Sequence, residues 1–188
     1  MTEDGEWVPH RFELAFGLPG RELEGDANSR AEAVLLPGGL QLRGSIDLVE
    51  RRRDGTLRIT DYKTGRASVK QGAVIQGGTA LQPVFYALAA EGLFPGETVA
   101  GGRLYYCTTR GGFQVTEVPL DGVARRYGDE VVNLVAGRIQ RAQLPAAPGP
   151  DACERCDFRL VCGPHEAFRT SRKDAAGLRD LIQLRERA

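Results

Sequence analysis

The chain has 188 residues, enough for one domain with an ordinary hydrophobic core and room for a small appendage. Hydrophobic residues make up 41% and charged residues 27%, a composition that excludes wholesale disorder. The 25 basic and 25 acidic residues give a formal net charge of zero, which argues against a polybasic surface for bulk nucleic-acid binding and against a strongly acidic mimic.

The first third of the chain predicts β-strands. Alternating or β-rich runs are separated by glycine, proline and aspartate, the residues that favour turns. These runs are Arg11–Phe16, Ala31–Leu36, Leu40–Arg51 and Thr56–Thr60. Hairpin signals at 37–39 (Pro-Gly-Gly) and 54–55 (Asp-Gly) connect the later runs. We therefore expect an antiparallel meander.

The periodicity then changes to that of a helix. Thr79 is a suitable N-cap, and Pro83 falls in the first turn, where proline is tolerated. Apolar residues follow at helical spacing until Gly92 and Pro95 end the pattern. We therefore predict a helix from Thr79 to about Gly92.

The second half predicts two strands, a long helix and a polar C-terminal helix. The strands are Gly102–Thr108 and Phe113–Val118, and Asp121 caps the long helix. A linker at Pro145–Pro150 precedes a cysteine cluster, and an arginine-rich helix over about Lys173–Arg187 closes the chain. The linker suggests a core over 1–144 and an appendage over 145–188 that packs on it.

The most informative segment holds two aspartates and one of the chain's three lysines. Asp47 lies on one predicted strand, and Asp61 and Lys63 lie two residues apart on the next, hence on one face. A hairpin near residues 54–55 sets Asp47 level with Asp61. Paired carboxylates suit Mg²⁺ or Mn²⁺, which can activate water, and an adjacent lysine offsets charge on a phosphate. This combination indicates phosphodiester hydrolysis.

The plainer alternative is a solvated ion pair between Asp61 and Lys63 at a strand end. It is weakened by Asp47, which is flanked by Ile46 and Leu48 within a strand, where an unpaired carboxylate is costly. Residues 41–70 also hold eight basic groups against four acidic ones. We expect this basic stretch to face phosphate, with solvation as the alternative near the hairpin tip. Its members are Arg43, Arg51, Arg52, Arg53, Arg58, Lys63, Arg66 and Lys70.

Cysteine usage indicates a reducing, cytoplasmic setting. Residues 1–10 are acidic and polar, unlike a signal peptide, and no apolar run approaches the roughly 18 residues of a membrane helix. Cys153, Cys156 and Cys162 form a C-x2-C-x5-C cluster, which favours metal binding over disulfides in the cytosol. His165 would complete a zinc set, or is a surface residue, and Cys107 is predicted to be a buried strand residue.

Three motifs in order resemble one nuclease family. G-S-I-D ends at Asp47, D-Y-K-T-G runs from Asp61 through Lys63, and Q-P-V-F-Y runs from Gln82 to Tyr86. Together they resemble the PD-(D/E)XK nuclease superfamily, and within it the RecB/AddB-like branch of DNA-repair nucleases. The resemblance covers roughly residues 40–163.

The resemblance implies a fold and a set of roles. The fold would be an α/β restriction-endonuclease-like core, a mixed and mostly antiparallel sheet flanked by helices, with a C-terminal cysteine-cluster appendage. Asp47, Asp61 and the backbone carbonyl of Tyr62 would bind Mg²⁺ or Mn²⁺. Lys63 would be the catalytic lysine. The last two implied site residues, which would position the substrate, are Gln82 and Tyr86.

The same resemblance extends to the cysteines. Cys153, Cys156 and Cys162 resemble the three downstream ligands of a structural 4Fe–4S cluster in AddB-like nucleases, and Zn²⁺ with His165 is the alternative. The family's fourth cysteine and its first helix, which carries an acidic or histidine site residue, have no counterpart here. His10 and Glu13 are not assigned that role. We therefore expect the C-terminal part of a larger protein or a shortened homologue.

The implied function is a divalent-metal-dependent DNA exonuclease of recombinational repair, working with a helicase domain or subunit and without a membrane. No G-x-x-x-x-G-K-[ST] motif is present, so an ATP motor would come from elsewhere. The competing hypothesis is a catalytically inactive DNA-binding or scaffolding module with the same fold, which the missing first motif favours.

Overall fold

The structure, a computed structural model, describes residues 6–20, 25–149 and 151–187. Seven strands occur in this part of the chain, five of them in one sheet. In chain order the strands are β1 (Val8–Phe16), β2 (Val34–Leu35), β3 (Gln41–Leu42), β4 (Gly44–Arg51), β5 (Leu57–Lys63), β6 (Val99–Tyr106) and β7 (Val115–Pro119).

The five-stranded sheet has the order β1-β4-β5-β6-β7, while β2 and β3 pair with each other apart from it. Neighbouring strands of the large sheet are antiparallel except for β5 and β6, which are parallel. A parallel pair needs a crossover connection, and the chain between β5 and β6 supplies one that contains a helix. The prediction of a mixed, mostly antiparallel sheet flanked by helices is confirmed.

Two long helices and three short ones accompany the sheet. They are α1 (Gln82–Leu93), α2 (Gly122–Gln140), α3 (Arg159–Cys162), α4 (Glu166–Ser171) and α5 (Arg179–Arg185). Apolar residues of α1 and α2 join those of β1, β4 and β5 in one buried core. The predicted cap of α2 is confirmed, because the Asp121 carboxylate accepts hydrogen bonds from Val123 N and Ala124 N, both at 2.9 Å.

Helix α1 lies very close to strand β6. A Cβ atom added to Gly102 would come within 2.2 Å of the Pro83 carbonyl oxygen, so only glycine allows this approach. Pro83 lies in the first turn of α1, as predicted. The close contact places the start of α1, and with it Gln82, over the end of the sheet.

The predicted N-cap at Thr79 is wrong. A 3-10 turn at Gln76–Gly78 precedes α1, and Thr79 Oγ1 donates a 2.7 Å hydrogen bond to the Gln76 carbonyl. Threonine side chains often form such local bonds in place of a helix cap. Helix α1 therefore begins three residues later, at Gln82.

Two predicted strands have different bounds because the chain changes pairing partner. The run Leu40–Arg51 is divided at Arg43, since β3 pairs with β2 whereas β4 pairs with β1. Strand β5 continues beyond Thr60 because parallel pairing with β6 extends to Lys63 opposite Tyr106. Strand β5 thereby carries both Asp61 and Lys63 within regular structure.

The C-terminal segment is less regular than predicted. In place of one helix over Lys173–Arg187, a 3-10 turn capped by the Asp174 carboxylate precedes α5. Leu184 of α5 is buried in the core, and Gly77 N donates a 2.8 Å hydrogen bond to the Arg187 carbonyl. Residues 145–149 of the predicted linker have no helix or strand, and Pro150 lies outside the described residues. Within the described part of the chain, no helix is long and apolar enough to cross a membrane.

Candidate active site

Asp47 and Asp61 come together where strands β4 and β5 separate. The antiparallel ladder ends with Leu48 opposite Thr60, so one further step of the register sets Asp47 opposite Asp61. Beyond the end of the ladder, Tyr62 N donates its hydrogen bond to a side chain of β4, because Asp47 Oδ2 accepts it at 2.7 Å. Strand alternation puts Asp47, Asp61 and Lys63 on one face of the sheet, which we call the near face.

Asp61 is the most buried charged group on the near face. Its side chain is 9% exposed, and the Lys63 Nζ atom lies 2.7 Å from Oδ2. The Lys63 side chain is 33% exposed, so the pair has one buried and one accessible member. The lysine of the site is therefore accessible to solvent, whereas the carboxylate of Asp61 lies beneath it.

Gln82 joins the two members of this pair. Its Nε2 donates a 3.0 Å hydrogen bond to Asp61 Oδ1, and its Oε1 accepts a 2.5 Å hydrogen bond from Lys63 Nζ. As the first residue of α1, it reaches the sheet from the helix that Gly102 allows to approach. The side-chain amide thus fixes the position of both charged groups.

The charges on the near face are only partly compensated. Burial raises the pKa of the Asp61 carboxyl, the Lys63 ammonium lowers it and the Asp47 charge raises it, and the balance lies above the usual value. Asp61 Oδ2 is buried, and one ammonium group, that of Lys63 at 2.7 Å, faces the two carboxylates of Asp47 and Asp61. A buried carboxylate oxygen beside a second carboxylate fits a hard divalent cation, which would relieve the repulsion between them.

The other two implied site residues occupy different positions. Tyr86 lies one turn after Gln82, its hydroxyl faces the backbone of Gly44, and its ring meets that of Phe16 edge-on at 6.2 Å. The side chain of Tyr62 is 42% exposed, and on the opposite face its ring lies 5.9 Å from that of Tyr105, centroid to centroid, at a tilt of 55°. Tyr62 can therefore serve the near face only through its backbone.

A second charged cluster, on the opposite or far face, was not predicted. Glu50 is 6% exposed and accepts hydrogen bonds from Arg58, Thr60 and Arg103. Burial alone would raise the pKa of Glu50, but these hydrogen bonds and the arginine charges outweigh burial and hold the pKa below its usual value. One sequence feature could have predicted this cluster. Glu50 lies on the same side of its strand as Ile46 and Leu48, and the hairpin register sets it directly opposite Arg58.

The far-face cluster corrects the predicted role of the basic stretch. Arg58 is paired with Glu50 and Glu117, so it does not face phosphate beside Lys63. Arg51 is paired with Glu97, and Arg52 lies over the ring of Trp7. These arginines contact other side chains of the protein, and not the site around Lys63, because they lie on the far face or at the hairpin end of the strands.

No group replaces the missing first motif in the described part of the chain. No helix precedes β1 there, and residues 1–5 lie outside it. Glu13 is level with Asp47 across β1 and β4 but is exposed, as predicted, and His10 lies beside Phe94. The described residues contain no cluster of three or more histidine, cysteine or acidic side chains that could hold a metal ion.

The last observation also concerns the cysteines. Within the described residues, Cys153, Cys156 and Cys162 do not converge on a common centre, with or without His165, so their arrangement does not fit an iron–sulfur cluster or zinc. Cys107 is half-buried and lies one residue beyond β6, not within a strand as predicted. Its Sγ contacts the Lys63 carbonyl at 3.7 Å.

Comparison with known proteins gives one family. The model of the PD-(D/E)XK nuclease superfamily matches residues 1–163. The matched segment includes all five strands of the large sheet, helices α1 and α2, and every residue of the near-face site. A search of curated proteins gives no match.

Proposed function

The chain belongs to the PD-(D/E)XK nuclease superfamily, and we propose that it is a divalent-metal-dependent nuclease that hydrolyses DNA phosphodiester bonds. The observation that carries this proposal is the near-face geometry. Two carboxylates meet at the separation of β4 and β5, and a lysine held by Gln82 lies beside them. These are the groups needed to hold a cation and to stabilise charge on a phosphate.

Each residue has a proposed part in the reaction. Asp47, Asp61 and the Tyr62 carbonyl would hold Mg²⁺ or Mn²⁺, which when bound supplies Lewis-acid activation of water and phosphate. Lys63 orients the attacking water and offsets negative charge that develops on the phosphate. Gln82 keeps Lys63 and Asp61 in place, and Tyr86 would contribute to substrate positioning from the next turn of α1.

The finer assignments follow from the motif order. D-Y-K-T-G followed by Q-x3-Y supports the RecB/AddB-like branch, and with it an exonuclease of recombinational DNA repair that works in the cytoplasm with a helicase domain or subunit. A nuclease core over 1–144 and an appendage over 145–188 belong to the same proposal. Burial of Leu184 of α5 in the core, and the hydrogen bond from Gly77 N to the Arg187 carbonyl just beyond α5, support packing of the appendage on the core.

The iron–sulfur assignment rests on the C-x2-C-x5-C spacing alone. The visible absorption spectrum and a zinc assay after anaerobic purification test it against the zinc alternative. A structural cluster predicts that Cys153→Ser loses the metal and lowers the melting temperature. A protein without iron or zinc, or a Cys153→Ser variant as stable as the wild type, would overturn a metal staple.

Cleavage assays with matched variants test the nuclease proposal. The wild-type protein should degrade linear DNA in Mg²⁺ and not in EDTA. Asp61→Ala and Lys63→Ala should each lower the rate about 100-fold or more. The controls are Asp129→Ala and Lys173→Ala, which alter the same residue types far along the chain. Equal cleavage by all variants would attribute the activity to a contaminant and reject the proposal.

The second candidate function is a DNA-binding module without turnover. It is favoured by one observation, that no acidic or histidine group from a helix before β1 joins the site in the described residues. This candidate predicts DNA binding by the wild-type protein and no Asp61-dependent cleavage in either Mg²⁺ or Mn²⁺.

A further inference from the structure

The end of α5 packs against the turn that precedes α1. Leu184 is buried in the core at 9% exposure, and a Cβ atom added to Gly78 would lie 3.3 Å from its Cδ2 atom. Just beyond the helix, the Arg187 carbonyl accepts a 2.8 Å hydrogen bond from Gly77 N. Residues 184–187, which we call the strap, therefore contact the backbone of this turn directly.

The turn that the strap contacts has a strained backbone. Gln76, Gly77 and Gly78 have φ angles of 43°, 62° and 87°, and the first of them is a residue that rarely adopts positive φ. A strained residue persists only where the surrounding structure holds it in place. The Gln76 side chain provides part of this support, since it accepts a hydrogen bond from Lys70 N and donates one to the Ser68 carbonyl. The strap provides support at the two glycines.

The same turn determines where α1 begins. Gly78 N and Ala80 N both donate hydrogen bonds to the Ile75 carbonyl, at 2.9 and 3.1 Å, and α1 begins two residues later at Gln82. The Gln82 amide accepts its hydrogen bond from Lys63 Nζ at 2.5 Å, so a shift of α1 by about 1 Å could stretch that bond beyond the normal range. The position of the turn is therefore critical for the near-face site.

A second attachment joins the strap to α2. The Arg187 guanidinium donates hydrogen bonds to both carboxylate oxygens of Glu130, at 3.0 and 3.3 Å, and lies 5.5 Å from the centre of the Tyr127 ring. Apolar residues of α2 pack with those of α1 in the core. The strap thus connects α2 to the turn from which α1 starts.

We infer that Leu184 and Arg187 are positioning residues of the near-face site, because the strap supports the turn that sets the position of the Gln82 amide. Neither residue touches the reacting groups, so both act through Gln82. The strap lies beyond residues 1–163, the part of the chain that the family model matches. The inference deepens the proposed function and rests on it for its kinetic consequence.

Leu184→Ala tests the inference by removing the buried side chain of the strap. Amide hydrogen exchange across residues 76–82, followed by mass spectrometry, should become about tenfold faster, because the turn loses its support. In cleavage assays kcat should fall about three- to tenfold with little change in KM, since the substrate can still bind but Lys63 is less well placed.

The matched control is Leu120→Ala. Leu120 is 8% exposed and belongs to the same core, but its backbone bonds to Ala100, at the opposite end of β6 from the Tyr106 that pairs with Lys63. Under conditions in which both variants are folded, Leu120→Ala should leave kcat and the exchange of residues 76–82 unchanged. Equal effects of the two substitutions would reduce Leu184 to a general contribution to stability and overturn the inference.

A charge exchange at the surface tests the strap without opening the core. Arg187→Glu and Glu130→Arg each place like charges together and should lower kcat about threefold, a modest effect because the pair is partly exposed. The double variant Glu130→Arg/Arg187→Glu restores opposite charges and should recover most of the wild-type kcat. A double variant no faster than the single ones would reject the role of Arg187.

The inference and the proposed function fail in different ways. If Asp61-dependent cleavage occurs but Leu184→Ala leaves kcat unchanged, the nuclease stands and the positioning role is rejected, whatever the exchange rates. If Leu184→Ala accelerates exchange of residues 76–82 but no protein cleaves DNA, the support of the turn by the strap stands and the nuclease is rejected.

Discussion

The two faces of the β4–β5 pair treat buried charge in opposite ways. On the far face, Glu50 accepts hydrogen bonds from two arginines and a threonine, and its pKa is held below the usual value. On the near face, burial raises the pKa of Asp61 even though its Oδ2 is paired with the Lys63 ammonium at 2.7 Å.

This difference distinguishes a structural cluster on the far face from a proposed active site on the near face. The far-face charges neutralise one another, so they are not available to a ligand, and removal of one partner would leave the others buried and uncompensated. On the near face, two carboxylates face a single lysine, so the negative charge is not fully neutralised by the protein. A bound cation would neutralise it, and Lys63 could then interact with a phosphate. Thr60 and Asp61 are adjacent in sequence, yet Thr60 belongs to the far-face cluster and Asp61 to the proposed active site.

Removing Glu50 should have the largest effect on stability. Glu50→Ala leaves Arg58 and Arg103 without their shared buried partner and should lower the free energy of unfolding by about 3–5 kcal/mol. Urea denaturation measures this loss. Glu117→Ala is the matched control, because the Glu117 side chain is 53% exposed and should contribute less than about 1 kcal/mol. Equal losses for the two variants would mean that the far face is not a buried structural cluster.

Removing the Gln82 amide should affect catalysis more than stability. Gln82→Leu keeps the side-chain size but releases Lys63 and Asp61, and should lower kcat about 10- to 100-fold with a smaller change in KM. Steady-state cleavage kinetics give both parameters, and Gln140→Leu, at the exposed end of α2, is the control. A kcat unchanged from wild type would show that Gln82 does not position the reacting groups.

Acid should remove the contribution of Glu50 to stability. Because the pKa of Glu50 is lowered in the folded protein, its stabilisation is present above the usual pKa of a glutamate and is lost as pH falls below about 4.5. Glu50→Gln should therefore be less stable than wild type at neutral pH, by about 1–3 kcal/mol, with a smaller deficit in acid. A deficit that does not change with pH would contradict this sign.

Asp61 should show the opposite sign and a smaller effect. Its raised pKa means that the ionised carboxylate is less favourable in the folded than in the unfolded chain, so lower pH favours the wild-type fold. Asp61→Asn should gain about 0.5–2 kcal/mol at neutral pH, and this gain should disappear as pH falls through the raised pKa. Destabilisation at neutral pH would instead show that the Lys63 ion pair outweighs burial.

The near face was predictable because it depends on local rules. Alternation along β5 puts Asp61 and Lys63 on one face, and the hairpin at residues 54–55 sets the register that brings Asp47 level with Asp61. The i, i+4 spacing of Gln82 and Tyr86 likewise predicts that the two side chains share a face of α1. The bridge that Gln82 makes was not predictable, because it depends on how closely α1 approaches β6 at Gly102.

The part of the far-face cluster that Arg103 contributes was not predictable, because it depends on pairing between distant segments. Arg103 reaches Glu50 only because β6 lies parallel to β5. Without knowledge of that pairing, a charged residue on a strand is predicted to be exposed to solvent. Thr79 was misassigned because a local side-chain bond to Gln76 competed with capping. Spacing alone could not say whether Cys153, Cys156 and Cys162 would converge.

Direct binding of Mn²⁺ tests the central claim, that a divalent cation completes the near face. Isothermal titration should show a site in the wild-type protein, with a matching rise in melting temperature. Asp61→Asn should abolish this binding, whereas Glu117→Ala, altered on the far face, should retain it. Absence of Mn²⁺ binding in the wild type, or equal binding by Asp61→Asn, would contradict the assignment of the near face as a metal-dependent site.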